Sequence, residues 1–138
     1  MKLRAAAAAV ALVLLVGAAA ATRGAAARAH AGTVRVTIHY SRFEPADLAV
    51  EPGETVRFVI VNTDPIDHEL ILGDERVQLI HEEGTEAHHA PRPGEVSVPA
   101  GATVVTTFTF PATSGQLIFG CHLPGHYDFG MRGTVTIG

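Results

Sequence analysis

The chain contains the segment GCHLPGHYDFGMRG at residues 120–133, in which Cys121, His126 and Met131 follow one another at intervals of five residues. Gly and Pro are frequent between them, so this segment is expected to be a loop rather than a continued strand. Apolar and β-branched residues flank it on both sides, which predicts one strand before the loop and another after it. Three side-chain donors on one tight loop can face a common centre.

The types of these donors indicate a metal site. A thiolate, an imidazole and a thioether together favour copper, particularly copper that cycles to Cu(I), whereas zinc sites are built from Cys, His and carboxylates. A fourth donor must come from elsewhere, and His68 is the candidate because it follows a predicted strand after an Asp-Pro break. Two His and one Cys with a distant axial Met form the arrangement of a blue, type 1 copper site. The predicted metal ligands are therefore His68, Cys121, His126 and Met131.

The remainder of the chain from residue 32 has the pattern of an all-β protein. Short alternating or β-branched runs recur at regular intervals with Gly- and Pro-containing turns between them, which predicts a sandwich or barrel. A segment rich in Glu has apolar residues at helical spacing and predicts a short helix or irregular insertion, ended by Gly84. The predicted strands are 33–38, 48–50, 55–62, 68–72, 96–98, 103–110, 116–119 and 133–137; residues 43–47 are predicted as a loop and residues 74–83 as the helix.

With its strand pattern and its C-x4-H-x4-M loop, the sequence is similar to the plastocyanin/azurin family of cupredoxins over residues 33–138. The resemblance implies a Greek-key β-sandwich with one copper ion at one end, and a protein that passes single electrons between redox partners and is not an enzyme. In many members of that family, Asn or Ser follows the first His ligand and ties the two ligand segments together. This chain departs from that pattern with Glu69.

Residues 1–31 have the order of a secretory signal. Lys2 and Arg4 precede an uncharged apolar run at residues 5–21, and Ala-x-Ala patterns occur at its end, at residues 19–21, and again at residues 29–31. Cleavage at one of these two places would leave a single domain at residues 32–138 in the periplasm or another extracytoplasmic space. The alternative is an uncleaved membrane anchor, because the run is at the short limit for spanning a bilayer.

The charge distribution limits the partners of this domain. Residues 32–138 carry six basic and fourteen acidic residues, a net charge of −8, so nucleic acid is not an expected partner. We expect a monomer that meets a redox protein such as a cytochrome, an oxidase or a reductase, and that meets a membrane only through an uncleaved leader.

Two further functions remain open beside electron transfer. A copper-binding or copper-resistance protein would buffer or store copper, with a second site in the segment that contains His81, His88 and His89. A Cys–His enzyme would use Cys121 and His126 as a catalytic pair, although the third member of such a set is missing. We expect His122 to be a surface residue or part of an electron path. Outside these sets, Asp67 and Asp128 are interpreted as turn residues.

Overall fold

The computed structural model describes residues 26–28, 32–84 and 90–138. The predicted leader therefore lies almost entirely outside the described residues, and so do His88 and His89. In the part of the chain that is described, no helix is long and apolar enough to cross a membrane.

Two β-sheets and one helix make up the described fold, which confirms the predicted all-β sandwich with a short helical insertion. The elements are β1 (Ala27–Arg28), β2 (Thr33–His39), β3 (Arg42–Glu44), β4 (Asp47–Val50), β5 (Thr55–Asn62), β6 (His68–Gly73), α1 (Glu75–Gly84), β7 (Glu95–Val98), β8 (Thr103–Thr109), β9 (Gly115–Gly120) and β10 (Arg132–Ile137). The larger sheet has the order β1-β4-β10-β9-β6-β7, and the smaller has the order β3-β2-β5-β8.

The strand connections cross between the two sheets, as expected for a Greek-key sandwich. Strand β2 pairs with β5 in parallel, and β4 pairs with β10 in parallel, although neither pair is consecutive in the chain. The antiparallel pairs β9–β10 and β6–β9 bring both ends of the loop at residues 121–131 to one end of the larger sheet, with its Cys121 end next to β6. Strand β1 pairs with β4, although its two residues belong to the segment predicted as a leader.

The hydrophobic core lies between the sheets because alternate residues of each strand point to the same face. In β5, Val56, Phe58 and Ile60 are almost completely buried, and Arg57 between them is exposed. Burial of one side chain of the size of Phe or Ile contributes about 1.5–3 kcal/mol to the free energy of folding. The core therefore supplies a rigid base for the end of the sandwich that carries the loop at residues 121–131.

The helix spans Glu75–Gly84, within one residue of the predicted 74–83, and ends at Gly84 as predicted. The Asp74 carboxylate accepts a hydrogen bond from the Val77 N–H at 2.9 Å, which satisfies one of the unpaired donors of the first turn. The helix packs against β6 and β9, with Gln78 as its buried contact residue. As a result, β6 is buried along its whole length, between α1 on one side and the core on the other.

The segment at residues 43–47 is not a continuous loop, and this prediction was wrong. Strand β3 forms a hairpin with β2 through a turn in which Tyr40 and Ser41 both have positive φ, 49° and 51°. Hairpin turns of this kind usually contain Gly or Asn, and neither residue is present at this turn to predict it. The Asp64 carboxylate accepts hydrogen bonds from the N–H groups of Tyr40 and Ser41, at 2.7 and 2.8 Å, and holds the turn in place.

Candidate metal centre

The loop at residues 121–131 is closed at its base by backbone hydrogen bonds. Cys121 directly follows β9 and Met131 directly precedes β10, and the Cys121 N–H donates to the Met131 carbonyl at 3.1 Å. The Met131 N–H donates to the His126 carbonyl at 2.9 Å. Strand β6 lies next to β9, so His68 at the start of β6 is brought to the same end of the sandwich.

Three of the four predicted ligands meet there through their donor atoms. The Sγ of Cys121 lies 3.3 Å from Nδ1 of His126 and 4.0 Å from Nδ1 of His68, and the two Nδ1 atoms are 3.3 Å apart. Metal–sulfur and metal–nitrogen bonds of about 2.0–2.3 Å place donors at such separations around one ion. Among the described residues, these three form the one group of His, Cys and carboxylate side chains close enough together to hold a metal ion.

The fourth predicted ligand, Met131, is also at this end of the sandwich. Its side chain is completely buried and belongs to the same core cluster as Cys121. The backbone contacts described above hold its main chain beside Cys121 and His126. Its role as an axial ligand stays a prediction.

Burial differs among the ligands and controls how they ionise. His68 and Cys121 are 0% exposed, whereas His126 is half-buried. Burial raises the pKa of the Cys121 thiol to about 11, although backbone N–H groups of Leu123 and Glu69 oppose the rise. Burial also lowers the pKa of His126, as does the nearby His68. At neutral pH without a metal, Cys121 therefore carries a proton, while the His126 ring is neutral and able to bind a metal.

The ring of His68 is oriented by Asp64, which the sequence analysis did not single out. The Asp64 Oδ2 atom lies 3.0 Å from Nε2 of His68, so Nδ1 is the nitrogen that faces the other ligands. Burial alone would raise the pKa of the Asp64 carboxyl, but hydrogen bonds from Ser41 and Tyr40, together with His68, outweigh it and lower the pKa. The orienting carboxylate is therefore ionised at neutral pH.

The two aspartates near the predicted His ligands in sequence, Asp67 and Asp128, have the positions of turn residues. Asp67 accepts a hydrogen bond from the Ala100 N–H at 2.9 Å, and Asp128 is exposed. Both positions fit the turn roles predicted for them. Asp64 could have been found from its spacing, since it precedes His68 by four residues at the Asp-Pro break.

Glu69 connects the two ligand segments in the place where the family resemblance implies Asn or Ser. Its side chain is completely buried, and its Oε1 accepts a hydrogen bond from the His122 N–H at 2.8 Å. The backbone N–H of Glu69 also interacts with the Cys121 thiol. The departure from the family pattern thus preserves a link between the β6 segment and the Cys121 loop.

His122 is buried, so the expectation that it lies on the surface was wrong. Its Nδ1 lies 2.6 Å from Oε2 of Glu82, and its Nε2 lies 2.8 Å from Oε1 of Gln78. The ring also stacks on Tyr127, with centroids 4.5 Å apart. The reason is helix α1, which covers this side of the loop and carries both Gln78 and Glu82. The sequence predicted the helix but not the strand it would cover.

The comparison with known proteins agrees with this geometry. A family model described as copper binding proteins of the plastocyanin/azurin family matches residues 31–138. This chain belongs to that family. The cupredoxin is 41% identical over 121 residues to the copper-resistant cuproprotein CopI of Rubrivivax gelatinosus, covering 83% of this chain and 70% of that protein.

Two further comparisons concern a second relative and a solved structure. The CopI protein of Vibrio cholerae is 34% identical over 96 residues, which cover 66% of this cupredoxin and 55% of that protein, so the match spans little more than half of that relative. The crystal structure of auracyanin B superposes with a TM-score of 0.64 at 26% identity, covering 77% of this chain and 88% of that one.

The donor set of the cupredoxin fits the ion that its family binds. A buried thiol and two imidazoles, with a buried thioether nearby, suit copper better than hard cations such as Mg²⁺ or Ca²⁺, which prefer oxygen ligands. The ring of His68 is already oriented by a carboxylate, a common feature of metal-binding histidines. The centre can therefore receive a copper ion with little rearrangement of the fold.

Proposed function

We propose that this chain is an exported copper-resistance protein that binds one copper ion at a type 1 site and thereby limits free copper outside the cytoplasm. The observation that carries the proposal is the cluster of His68, Cys121 and His126 donor atoms, in a chain whose relatives are named copper-resistant cuproproteins. The name of those relatives favours copper resistance over electron transfer as the main function.

In this proposal each side chain of the centre has a defined task. Nδ1 of His68 and Nδ1 of His126 would hold the ion, Cys121 would bind it as a thiolate, and Met131 would supply the fourth donor. Asp64 holds the His68 ring in place, and Glu69 keeps the two ligand segments together. Bound copper supplies one-electron chemistry.

We propose further that the protein is not an enzyme. Four protein donors would leave no open coordination position for a substrate, whereas catalytic metal sites keep one open. Burial of His68 and Cys121 restricts water to the side of the half-buried His126. A site closed in this way suits tight retention of copper.

The second candidate function is electron transfer with a redox protein partner. The observation that favours it is the apolar surface beside His126, where Phe129 is 79% exposed, Leu123 is half-buried and Pro124 is exposed. A single apolar patch near a metal ligand can serve as a docking surface. A monomer that docks a cytochrome, oxidase or reductase through this patch would explain that exposure.

Deletion of the gene distinguishes the two functions. The copper-resistance proposal expects the deletion strain to grow normally in ordinary medium and to become sensitive when copper is added, with wild-type chain but not Cys121→Ser restoring tolerance. Unchanged copper tolerance would contradict it. A growth defect without added copper, restored only by a chain that can bind copper, would support the electron carrier instead.

Export is tested separately by fractionation. We expect the chain in the extracytoplasmic fraction, shortened at the N-terminus by cleavage near residue 21 or residue 31. A full-length chain found in the membrane fraction would favour the uncleaved anchor.

A further inference from the structure

Strand β1 belongs to the larger sheet, although its residues precede the domain that the sequence predicts. Ala27 and Arg28 pair in parallel with Leu48 and Ala49 of β4, which makes β1 the outermost strand of that sheet. The family model begins at residue 31, and the predicted strands begin at residue 33. The folded domain therefore begins several residues earlier than the family model or the strand pattern indicates.

The side chains of β1 also contact the rest of the domain. Ala27 is half-buried and packs against the hydrophobic core cluster. The Arg28 guanidinium lies 2.7 Å from the carboxylate of Glu51, the residue that follows β4. Both side chains of this ion pair are 65% exposed, so the pair alone contributes little to stability. The backbone pairing, the packing of Ala27 and the ion pair together tie β1 to β4.

Removal of β1 would turn β4 into the edge of the larger sheet. The backbone N–H and C=O groups of an edge strand can pair with another chain, which promotes aggregation. Leu48 and Val50 hold β4 in the core, each with only 1% of its surface exposed, so the uncovered edge would stay in place. Strand β1 is a safer edge, because it is only two residues long and carries the charge of Arg28.

The two predicted cleavage positions differ in whether they retain β1. Ala21 and Ala31 lie outside the described residues, but cleavage after Ala21 keeps β1 in the chain and cleavage after Ala31 removes it. After cleavage at Ala31, the first residue would be Gly32, whose carbonyl accepts a hydrogen bond from the Arg57 N–H at 2.8 Å. The first residues of a domain are poorly ordered unless they are tied down. Cleavage at Ala31 would therefore place a free chain end directly at this sheet contact.

We propose that the exported chain is cleaved between Ala21 and Thr22, so that the mature protein begins at Thr22 and contains β1. The reaction is hydrolysis, in which water adds across the Ala21–Thr22 peptide bond and leaves a carboxylate on Ala21 and an amino group on Thr22. A peptidase of the export pathway, which requires small residues before the cut, would find them in Ala19 and Ala21. This assignment rests on the proposed export of the chain and adds the position at which it is processed.

The N-terminus of the exported protein tests the proposal. The full chain is expressed with its own leader in a bacterium that exports it, recovered from the extracytoplasmic fraction, and measured by intact mass and N-terminal sequencing. We expect one species that contains residues 22–138. A product that begins at Gly32, or at any other residue after Ala27, would overturn the proposal because it would lack β1.

Matched substitutions at the two predicted cleavage positions separate them. A charged residue directly before the cut should block cleavage, since that position requires a small side chain. Ala21→Arg should therefore abolish the product that begins at Thr22. Ala31→Arg should leave that N-terminus unchanged, and the mass of the product should increase by the difference between Ala and Arg. Loss of processing in Ala31→Arg alone would overturn the proposal.

A third variant tests whether β1 is part of the folded protein after export. Ala27→Asp places a charge against the core cluster, so the purified protein should unfold at a lower temperature than the wild type. Ala112→Asp, which makes the same replacement at an exposed position, is the matched control and should leave the midpoint of thermal unfolding nearly unchanged. Equal midpoints for the two variants would overturn the proposal, because β1 would then contribute nothing to the fold.

The failure of this proposal can be distinguished from failure of the proposed function. An uncleaved chain in the membrane fraction, or cleavage at Ala31, would overturn the processing position and leave the copper centre and copper tolerance untouched. An uncleaved chain in the cytoplasm would overturn both export and processing. Unchanged copper tolerance in the deletion strain would overturn copper resistance, whereas a mature protein that begins at Thr22 would still support the processing position.

Discussion

Asp64 Oδ2 lies 3.0 Å from Nε2 of His68, and the same carboxylate accepts two backbone hydrogen bonds from the turn between β2 and β3. One buried side chain therefore fixes both the conformation of a hairpin turn in the smaller sheet and the orientation of a ligand ring in the larger sheet. His68 can present only Nδ1 to Cys121 and His126 as long as this contact persists.

Replacement of Asp64 should weaken copper binding. In Asp64→Asn the His68 ring loses its anionic partner, and loss of such a partner typically costs about 10–100-fold in metal affinity. Affinity is measured by competition with a chelator of known strength. Asp67→Asn is the matched control, because Asp67 accepts a hydrogen bond from the Ala100 N–H, whereas Nε2 of His68 faces Asp64; the affinity of this variant should be unchanged. Equal affinities for both variants would contradict the orienting role.

Copper binding should become stronger as the pH rises. The Cys121 thiol has a pKa of about 11, so at neutral pH it must release a proton when it binds the ion. The pKa of His126 is below its ordinary value of 6.5, so its ring is already neutral. With one proton released, affinity should increase about tenfold per pH unit between about pH 7 and pH 9.

The measurement for this pH dependence is a chelator competition at several pH values, corrected for the protonation of the chelator. Cys121→Ser should lose the tenfold slope together with the intense visible absorption. A wild-type affinity that does not change over this range would show that the thiol is already ionised in the apo protein.

Met131 should tune the copper site without being needed to hold it. Because the axial donor of a type 1 site is distant and weakly bound, Met131→Leu should keep one copper and its blue absorption but shift the reduction potential. The potential is measured by voltammetry of the wild type and the variant. Loss of copper from Met131→Leu, or an unchanged potential, would argue against the axial role.

Glu69 should contribute to stability through its hydrogen bond to the His122 N–H. Glu69→Ala leaves this buried donor without its partner, at a cost of about 1–3 kcal/mol in the free energy of unfolding. Glu69→Gln retains an acceptor oxygen and should cost less. Urea denaturation of the apo protein measures both, with the exposed Glu44→Ala as the control that should change little. Equal free energies of unfolding for Glu69→Ala, Glu69→Gln and Glu44→Ala would rule out a stabilising role for the hydrogen bond between Glu69 and His122.

The sequence was sufficient to predict a structural feature wherever the interactions that determine it are local. The spacing of Cys121, His126 and Met131 on a Gly- and Pro-rich loop depends only on neighbouring residues, and the alternation of apolar residues determines which face of each strand is buried. The strand pattern, the short helix and the family followed from these local features. The hairpin at Tyr40 and Ser41 did not, because its unusual backbone conformation is held by a residue more than twenty positions away.

Only the tertiary structure decided which residues surround the ligands. Asp64 orients His68, Glu69 reaches the Cys121 loop, and helix α1 buries His122 against Gln78 and Glu82. Each contact depends on how β6, the loop and the helix pack together, and a side chain's burial and partners are set by elements distant in sequence. The sequence by itself therefore determined which donors could bind copper, while the packing of the sheets and helix determined how those donors are oriented, protonated and supported.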